Sequence, residues 1–294
     1  MHDLAVIVVS HDQARWLPAC LSSLLAGSGD LALDVVVVDN SGAGDSAALV
    51  ERDFPAVRAV RTANHGFGHA NNRGLETCDA RHVLFLNPDT ELRDGTLADL
   101  VAALDARPDV GAAGARQVTP DGAVHPSIRR FPSARRTFAE ALGSERIPGA
   151  GGLGERVLDP AAYERETPCD WTTGAALAVR GEVLETVGAF DERFFLFSEE
   201  TDLCRRIRAA GWEVVHLPSP TFVHHVHAGR GGLSPALALH DVRSRRLYAQ
   251  KHLSPVHRAL YLAAVVLRHG LRALVGRERP SEVARIARAA AGRA

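Results

Sequence analysis

Four apolar runs, residues 4–9, 34–38, 57–61 and 82–86, alternate with stretches of helical character, and polar loops follow them. The loops are Ser10-His11-Asp12, Asp39-Asn40-Ser41-Gly42, Asn64-His65-Gly66-Phe67-Gly68 and Asn87-Pro88-Asp89. Strands alternating with helices predict an α/β fold, a mainly parallel sheet covered by helices, and such sheets hold their chemistry at the carboxyl ends of the strands. Helices are expected near 16–26, 46–53, 69–75 and 95–106, with further strands over 110–117, 175–179 and 212–217. A chain of 294 residues, 46% hydrophobic, can bury a substantial core as one large domain with an appendage or as two modest domains.

A formal net charge of −1 gives no global case for nucleic acid, although the segment after Arg243 is rich in Arg and His. Cys20, Cys78, Cys169 and Cys204 show no CxxC or zinc-ribbon spacing, which predicts reduced thiols, mostly in the core of a cytosolic protein. The first residues lead straight into an apolar strand, with no basic leader, so a cytoplasmic location is expected. No apolar run reaches the roughly 18 residues of a membrane span. Residues 260–275, apolar and then marked by Arg268, His269 and Arg272, read either as a helix packed on the domain or as an interfacial helix touching anionic lipid.

Between 119 and 167 prolines and glycines accumulate, and the stretch reads as a loop too polar to join the core, mobile at the mouth of a site. Order resumes at Cys169-Asp170-Trp171-Thr172-Thr173-Gly174. The cluster Glu199-Glu200-Thr201-Asp202 opens a helix that ends before Gly211, and Val223-His224-His225 closes a strand. Asp89, the Glu199 cluster and His224 bring hard oxygen and nitrogen ligands to element ends, which suggests one divalent-metal site beside one base, the pair that diphosphate chemistry requires.

Each of these residues has a plainer role open to it. Asp39 and Asn40 suit recognition of a nucleobase N–H, or Asp39 forms an Asx turn. Asn64, Gly66, Phe67, Asn71 and Asn72 offer close backbone approach and amides for ribose or diphosphate, in a loop without the GxGxxG order or a P-loop lysine. Asp89 holds metal or caps a turn. Trp171 and Thr172, with Gly174, line an acceptor pocket, or the tryptophan is core. Asp202 and Arg206, four apart on a helix, support the base as an ion pair or contact a substrate. His225 alternates to the face opposite His224, and His227 lies beyond in a Gly-rich loop. Trp16, Trp212 and Phe190 are core by default.

Asn87-Pro88-Asp89, Asp170-Trp171-Thr172-Thr173-Gly174-Ala175-Ala176 and the run from Gly188-Ala189-Phe190-Asp191-Glu192 through Glu199-Glu200-Thr201-Asp202-Leu203-Cys204-Arg205-Arg206 closely resemble the family 2 inverting glycosyltransferases of GT-A fold, in particular their bacterial rhamnosyltransferase-like branch. The resemblance runs from about Leu4 to about Gly232, and the tail with Arg245, Tyr248 and Lys251-His252 shares it. It implies a nucleotide-diphosphate sugar donor, Mg²⁺ or Mn²⁺, and inversion at the anomeric carbon. It implies that Asp89 binds the metal, that Glu200 is the base with Glu199 as runner-up and Asp202 in support, and that His224 is a metal or diphosphate ligand. Ser10 and His11 join Asp39, Asn40, Asn64, Gly66, Phe67, Asn71, Asn72, Asn87 and Asp89 on the donor side.

Two departures stand out: Asn87 replaces the first acid of a common Asp-x-Asp, and Glu200 stands where Asp is usual. The implied donor is dTDP-L-rhamnose, with UDP-galactose, UDP-galactofuranose and UDP-N-acetylglucosamine open, and the implied acceptor is a saccharide of the cell surface, free or polyprenyl-linked. That acceptor would bring the enzyme to the inner face of the membrane through its C-terminal helices; a homodimer is compatible with the chain. A nucleotidyltransferase and a catalytically silent sugar-nucleotide-binding protein are the rival classes. The expected organisation is a GT-A domain over 1–232, made of a nucleotide-binding half (1–118), a mobile loop (119–168) and a catalytic and acceptor half (169–232), followed by helices over 233–294.

Overall fold

Valine and leucine fill the central strands because both faces of the sheet are covered. The computed structural model describes residues 1–144, 151–225 and 233–293. Strands β1 (His2–Ser10), β2 (Leu33–Asp39), β3 (Arg58–Arg61) and β4 (Ala80–Leu86) pair in parallel, β1 lying between β2 and β4. After them come β5 (Thr90–Asp94), β6 (Val110–Val118), the short β7 (Ile128–Arg129), β8 (Thr167–Pro168) and β9 (Trp171–Thr172), then β10 (Ala176–Arg180) and β11 (Glu213–His224). The main sheet has the order β3-β2-β1-β4-β10-β6-β11-β5, with β8 on β11, while β7 and β9 form a separate pair.

The sheet is mixed. β10 runs antiparallel to β4 and β6, and β11 runs parallel to β6 and antiparallel to β5. That reversal positions the site: the start of β10 meets the end of β4, so that Asn87 N–H donates to Ala175 O at 3.0 Å. The end of β11 meets the turn after β4 in the same way, where His225 N–H donates to Asp89 O at 2.9 Å.

Helices cover both faces. In α1 (Leu17–Ala26), Leu17, Cys20, Leu21 and Leu24 recur at helical spacing and bury against Leu4, Val6 and Val8. The same side receives α4 (Leu97–Ala106), which a Thr96–Asp99 capping box starts. The opposite face packs Ile7, Val36, Val38 and Phe85 against Ala70 of α3 (Phe67–Leu75), Val183 of α6 (Gly181–Val187) and Leu203 and Ile207 of α7 (Glu199–Ala209). Asp45–Asp53 forms α2, and Ala134–Ala141 forms α5. The C-terminal helices α8 (Pro235–His252), α9 (Pro255–Leu274) and α10 (Pro280–Ala290) share a smaller core of Val242, Tyr261, Val265 and Ile286. Among the described residues no helix is long and apolar enough to cross a membrane.

Three expectations are corrected. The described part of the stretch 119–168 contributes to the core: it carries β7, α5 and β8, and Ile128, Ala162 and Tyr163 are buried. Tyr163 ties it together, its hydroxyl donating to Val157 O at 2.7 Å and accepting from Ile128 N–H at 3.2 Å. Trp16 is half-buried, not core, and stacks on His225 with ring centroids 4.9 Å apart. Trp212 is also only half-buried, at the edge of the core. Cys20, Cys169 and Cys204 are buried free thiols and Cys78 is half-buried.

Candidate active site

Two adjoining hollows open at the carboxyl ends of β1, β2 and β4. One, of about 390 Å³, is lined by His11, Asn40, Asn64, Gly66, Asn87 and Asp89. The other, of about 380 Å³, is lined by His125, Arg129, Trp171, Gly174, Glu200 and His224. Phe67, Asn87, Leu196 and Phe197 border both, so the two form one cleft with a waist.

At the waist, His224 Nε2 lies 3.4 Å from Asp89 Oδ1 and 3.5 Å from Asn87 Nδ2. His224 Nδ1 is buried without a partner. An oxygen and an imidazole side by side, with the remaining positions facing a hollow, fit a cation of the Mg²⁺ or Mn²⁺ kind, which takes few protein ligands and completes its shell with phosphate and water. Among the described residues no three His, Cys, Asp or Glu side chains converge to hold a metal by themselves.

Glu199 and Glu200 begin α7 because the two residues before them, Phe197 and Ser198, take left-handed φ angles of 70° and 66°. Such backbone costs energy in non-glycine residues and recurs at functional sites. The turn aims the carboxylates inward, where Glu199 Oε2 and Glu200 Oε2 are buried without partners. Burial raises the pKa of Glu199 well above the ordinary range, and the neighbouring Glu200 adds to the rise. Burial also raises Glu200, opposed by hydrogen bonds from backbone N–H groups including that of Gly174 and by the charge of Arg129. Both line the second hollow, and Glu200, half-buried where Glu199 is buried, is the more open to it.

Asp202 points the other way and is fully buried. It accepts from Arg206 Nε at 2.9 Å, His252 Nε2 at 2.7 Å and Lys251 Nζ at 3.0 Å. Burial pushes its carboxyl up, but the bonds from His252, Lys251 and Arg206 together hold it below the ordinary range. The expected Asp202–Arg206 ion pair is thus present, and it extends into a latch between α7 and α8 that the sequence did not disclose.

Residues 5–154 match the family described as Glycosyl transferase family 2. The N-acetylglucosaminyl-diphospho-decaprenol L-rhamnosyltransferase of Mycobacterium tuberculosis is 34% identical over 267 residues, 85% of this chain and 85% of that one. The chain belongs to glycosyl transferase family 2. Rhamnosyltransferase WbbL of Escherichia coli K12 is 24% identical over 259 residues, 84% of this chain and 93% of that one. Among solved structures, GalNAc-T7 with UDP, GalNAc and Mn²⁺ gives a TM-score of 0.66 at 14% identity, covering 91% of this chain and 51% of that chain. The mannosyltransferase PcManGT from Pyrobaculum calidifontis, with GDP-Man and Mn²⁺, gives 0.55 at 18%, covering 99% and 80%. These two likenesses carry the fold, which is GT-A. As a family 2 member the chain is a glycosyltransferase that moves sugar from a nucleotide sugar to a saccharide or lipid-linked acceptor.

Measured against that activity, several residues assigned to the site from sequence sit elsewhere. Asp39 is buried and its oxygens accept from Ser41 N–H and Oγ (2.9 and 2.6 Å) and from Ala47 N–H (2.9 Å), the Asx-type alternative. Its neighbour Asn40 faces the cleft instead, with Oδ1 unpartnered. Ser10 is buried and hydrogen-bonded to Ser46 at 2.8 Å. Asn71 donates to Phe67 O, and Asn72 bonds Phe190 O, Phe190 N–H and Glu192, so both hold loops rather than line the cleft. Thr172 is buried against Gly114, on the strand face opposite Trp171. Gly66 serves the close approach expected of it, but to the protein itself: an added Cβ would stand 2.3 Å from Phe195 O. His225 turns away to Glu91 as its alternation predicts, and His227 lies outside the described residues.

His125, Arg129 and Asp241, which the sequence did not single out, also line the second hollow. His125 meets His224 edge to face at 5.3 Å, and burial first, then the charge of His224, lower its pKa to about 4, so it is a neutral imidazole near pH 7. Arg245, known from the tail resemblance, reaches the same wall from α8. For His125 and Arg129 the sequence carried no signal beyond an imidazole and a guanidinium in a Gly- and Pro-rich stretch.

Proposed function

We propose that this chain transfers L-rhamnose from dTDP-L-rhamnose, with inversion at the anomeric carbon, to an N-acetylglucosaminyl residue carried on a polyprenyl diphosphate. The single observation that carries this reading is the likeness, at 34% identity over 85% of each chain, to an enzyme so named. In this reading Glu200 is the general base: its carboxylate takes the proton of the acceptor hydroxyl while that oxygen attacks the face opposite the leaving diphosphate. Asp89 and His224 would hold a divalent cation, Mg²⁺ or Mn²⁺, with Asn87 beside them, and such a cation would supply charge to offset that growing on the diphosphate. Asn40 and His11 face the nucleoside, and Asn64 and Gly66 shape the loop beneath it. Trp171 offers an apolar ring to the acceptor sugar. Glu200 in place of aspartate lengthens the reach of the base, and the Gly174 N–H, acting on that carboxylate, supports its ionised form.

The acceptor's lipid would keep the enzyme at a membrane surface, and α9 suits such contact: Leu260, Leu267 and Leu274 are exposed on the helix that also carries Arg268 and Arg272.

Incubating the protein with dTDP-L-rhamnose, UDP-galactose or UDP-N-acetylglucosamine, with and without Mn²⁺, tests the reading. Mn²⁺-dependent consumption of dTDP-L-rhamnose, and rhamnosylated product when an N-acetylglucosaminyl diphospholipid is present, is the expected result. Consumption of a UDP-sugar in its place would overturn the donor, and binding without turnover would favour a silent sugar-nucleotide-binding protein.

A further inference from the structure

Arg129 stands apart from the other arginines around the cleft. Its guanidinium lies 5.8 Å from the centre of the Trp171 ring, and its Nε is buried without a partner. No carboxylate pairs with it among the described residues. Glu155, whose charge favours its ionised form, instead accepts from Thr137 Oγ1 at 3.2 Å and Arg245 Nη1 at 3.5 Å. Arg245, on the same wall, is committed to Asp241 at 2.9 Å and to the Tyr261 hydroxyl at 3.0 Å. Burial lowers the pKa of Arg129, and the adjacent Arg156 cation lowers it further. Arg129 is half-buried, its Nε is shut away from any partner, and no carboxylate among the described residues reaches it directly, an arrangement that is costly for a cation in a folded chain. The cost is met when an anionic ligand completes the pair, and a planar fork of N–H donors suits a phosphate oxygen pair.

The position of Arg129 selects which anion. It lines the hollow of Glu200, Trp171 and Gly174, which touches the waist at His224, and not the hollow of Asp89, Asn40 and Gly66, where the donor nucleoside belongs. Arg129 and Glu200 line this one hollow. The attacking hydroxyl and the acceptor's own phosphate would therefore share this hollow.

We propose that Arg129 binds the phosphate that joins the acceptor sugar to its lipid carrier, and so selects a diphosphate-linked acceptor over a neutral glycoside. The proposal rests on the reading above that the acceptor is such a saccharide.

The test uses the full chain, one donor and two acceptors bearing the same sugar: an N-acetylglucosaminyl diphosphate on a short prenyl chain and a neutral octyl N-acetylglucosaminide. Wild-type protein should favour the diphosphate acceptor. Arg129→Gln should shrink that preference by roughly 10- to 100-fold, the loss expected for one charged hydrogen-bonding group, through KM for the diphosphate acceptor while KM for the donor holds. Arg129→Lys, which keeps the charge, should restore part of it and covers the case in which the glutamine variant does not fold. A wild-type enzyme that prefers the neutral glycoside would remove the acceptor reading itself, and this proposal with it. A wild-type preference that survives in Arg129→Gln would overturn the proposal alone, as would a rise in donor KM, which would assign Arg129 to the donor diphosphate.

Discussion

His224 Nε2 lies 3.4 Å from Asp89 Oδ1, which joins the end of β11 to the end of β4 at the waist of the cleft. Residues 135 positions apart in the chain meet there because β11 and β5 pair antiparallel, with His224 opposite Thr90. If these two atoms hold the cation, Asp89→Ala abolishes the Mn²⁺ dependence of nucleoside diphosphate binding and His224→Ala weakens it. Calorimetric titration of dTDP with and without Mn²⁺ measures both. Metal dependence unchanged in Asp89→Ala would remove the ligand role.

The Glu199 carboxyl is destabilising in the folded state whenever the unfolded chain would ionise it. Its folded pKa is raised by burial and by Glu200, so the stability it contributes is present below the unfolded value of about 4.3 and is lost as pH rises from there toward the folded pKa. Glu199→Gln removes that loss. Thermal unfolding should show the variant above wild type in Tm near pH 7, with the difference closing toward pH 4; a gain that persists at pH 4 would contradict the linkage.

Asp202 holds α8 to α7 through Lys251 and His252, and it pairs within α7 with Arg206. Removing the carboxylate leaves Arg206 without its acid partner and Lys251 with Asp191 alone, so Asp202→Ala should cost on the order of 3 kcal/mol of unfolding free energy by urea denaturation. Asp202→Asn, which retains shape and one acceptor, should cost less. A loss of turnover with no loss of stability would instead make Asp202 a direct participant.

Gly66 has φ of 110°, and a Cβ there would meet the Phe195 carbonyl and Cα at 2.3 and 2.7 Å. Phe195 to Phe197 wall the donor hollow. Gly66→Ala must displace that wall, and we expect donor affinity to fall at least tenfold, about 1.4 kcal/mol, by the same titration. Donor affinity equal to wild type would mean that the wall does not shape the site.

That Asp89, Glu200 and His224 reach one cleft could be anticipated from the sequence, because Asp89 follows and His224 closes an apolar strand while Glu200 stands at the start of a helix, and element ends are where an α/β sheet exposes polar groups. Position within a pair of neighbours was harder. Asn40 faces the cleft while Asp39 caps its own loop, and Trp171 faces it while Thr172 packs on Gly114; alternation allows either phase, and only tertiary packing selects one. His125 and Arg129 were illegible for a different reason. They come from a stretch whose glycines and prolines imitate a surface loop, while its order depends on long-range ties such as Phe131 N–H to Asp170 at 2.7 Å and Trp171 Nε1–H to Arg130 O at 3.0 Å. Lys251, the single lysine of the chain, gave no local hint of its partner Asp202, 49 residues away.

The account turns on Glu200 as the proton acceptor, and Glu200→Gln addresses it most directly because the substitution keeps the side chain's shape while removing the base. Single-turnover rates with dTDP-L-rhamnose and the N-acetylglucosaminyl diphospholipid, measured beside dTDP affinity, should show the rate falling by roughly 10²-fold or more with affinity unchanged. A rate close to wild type, or a loss of dTDP binding that accounts for the lost rate, would contradict it.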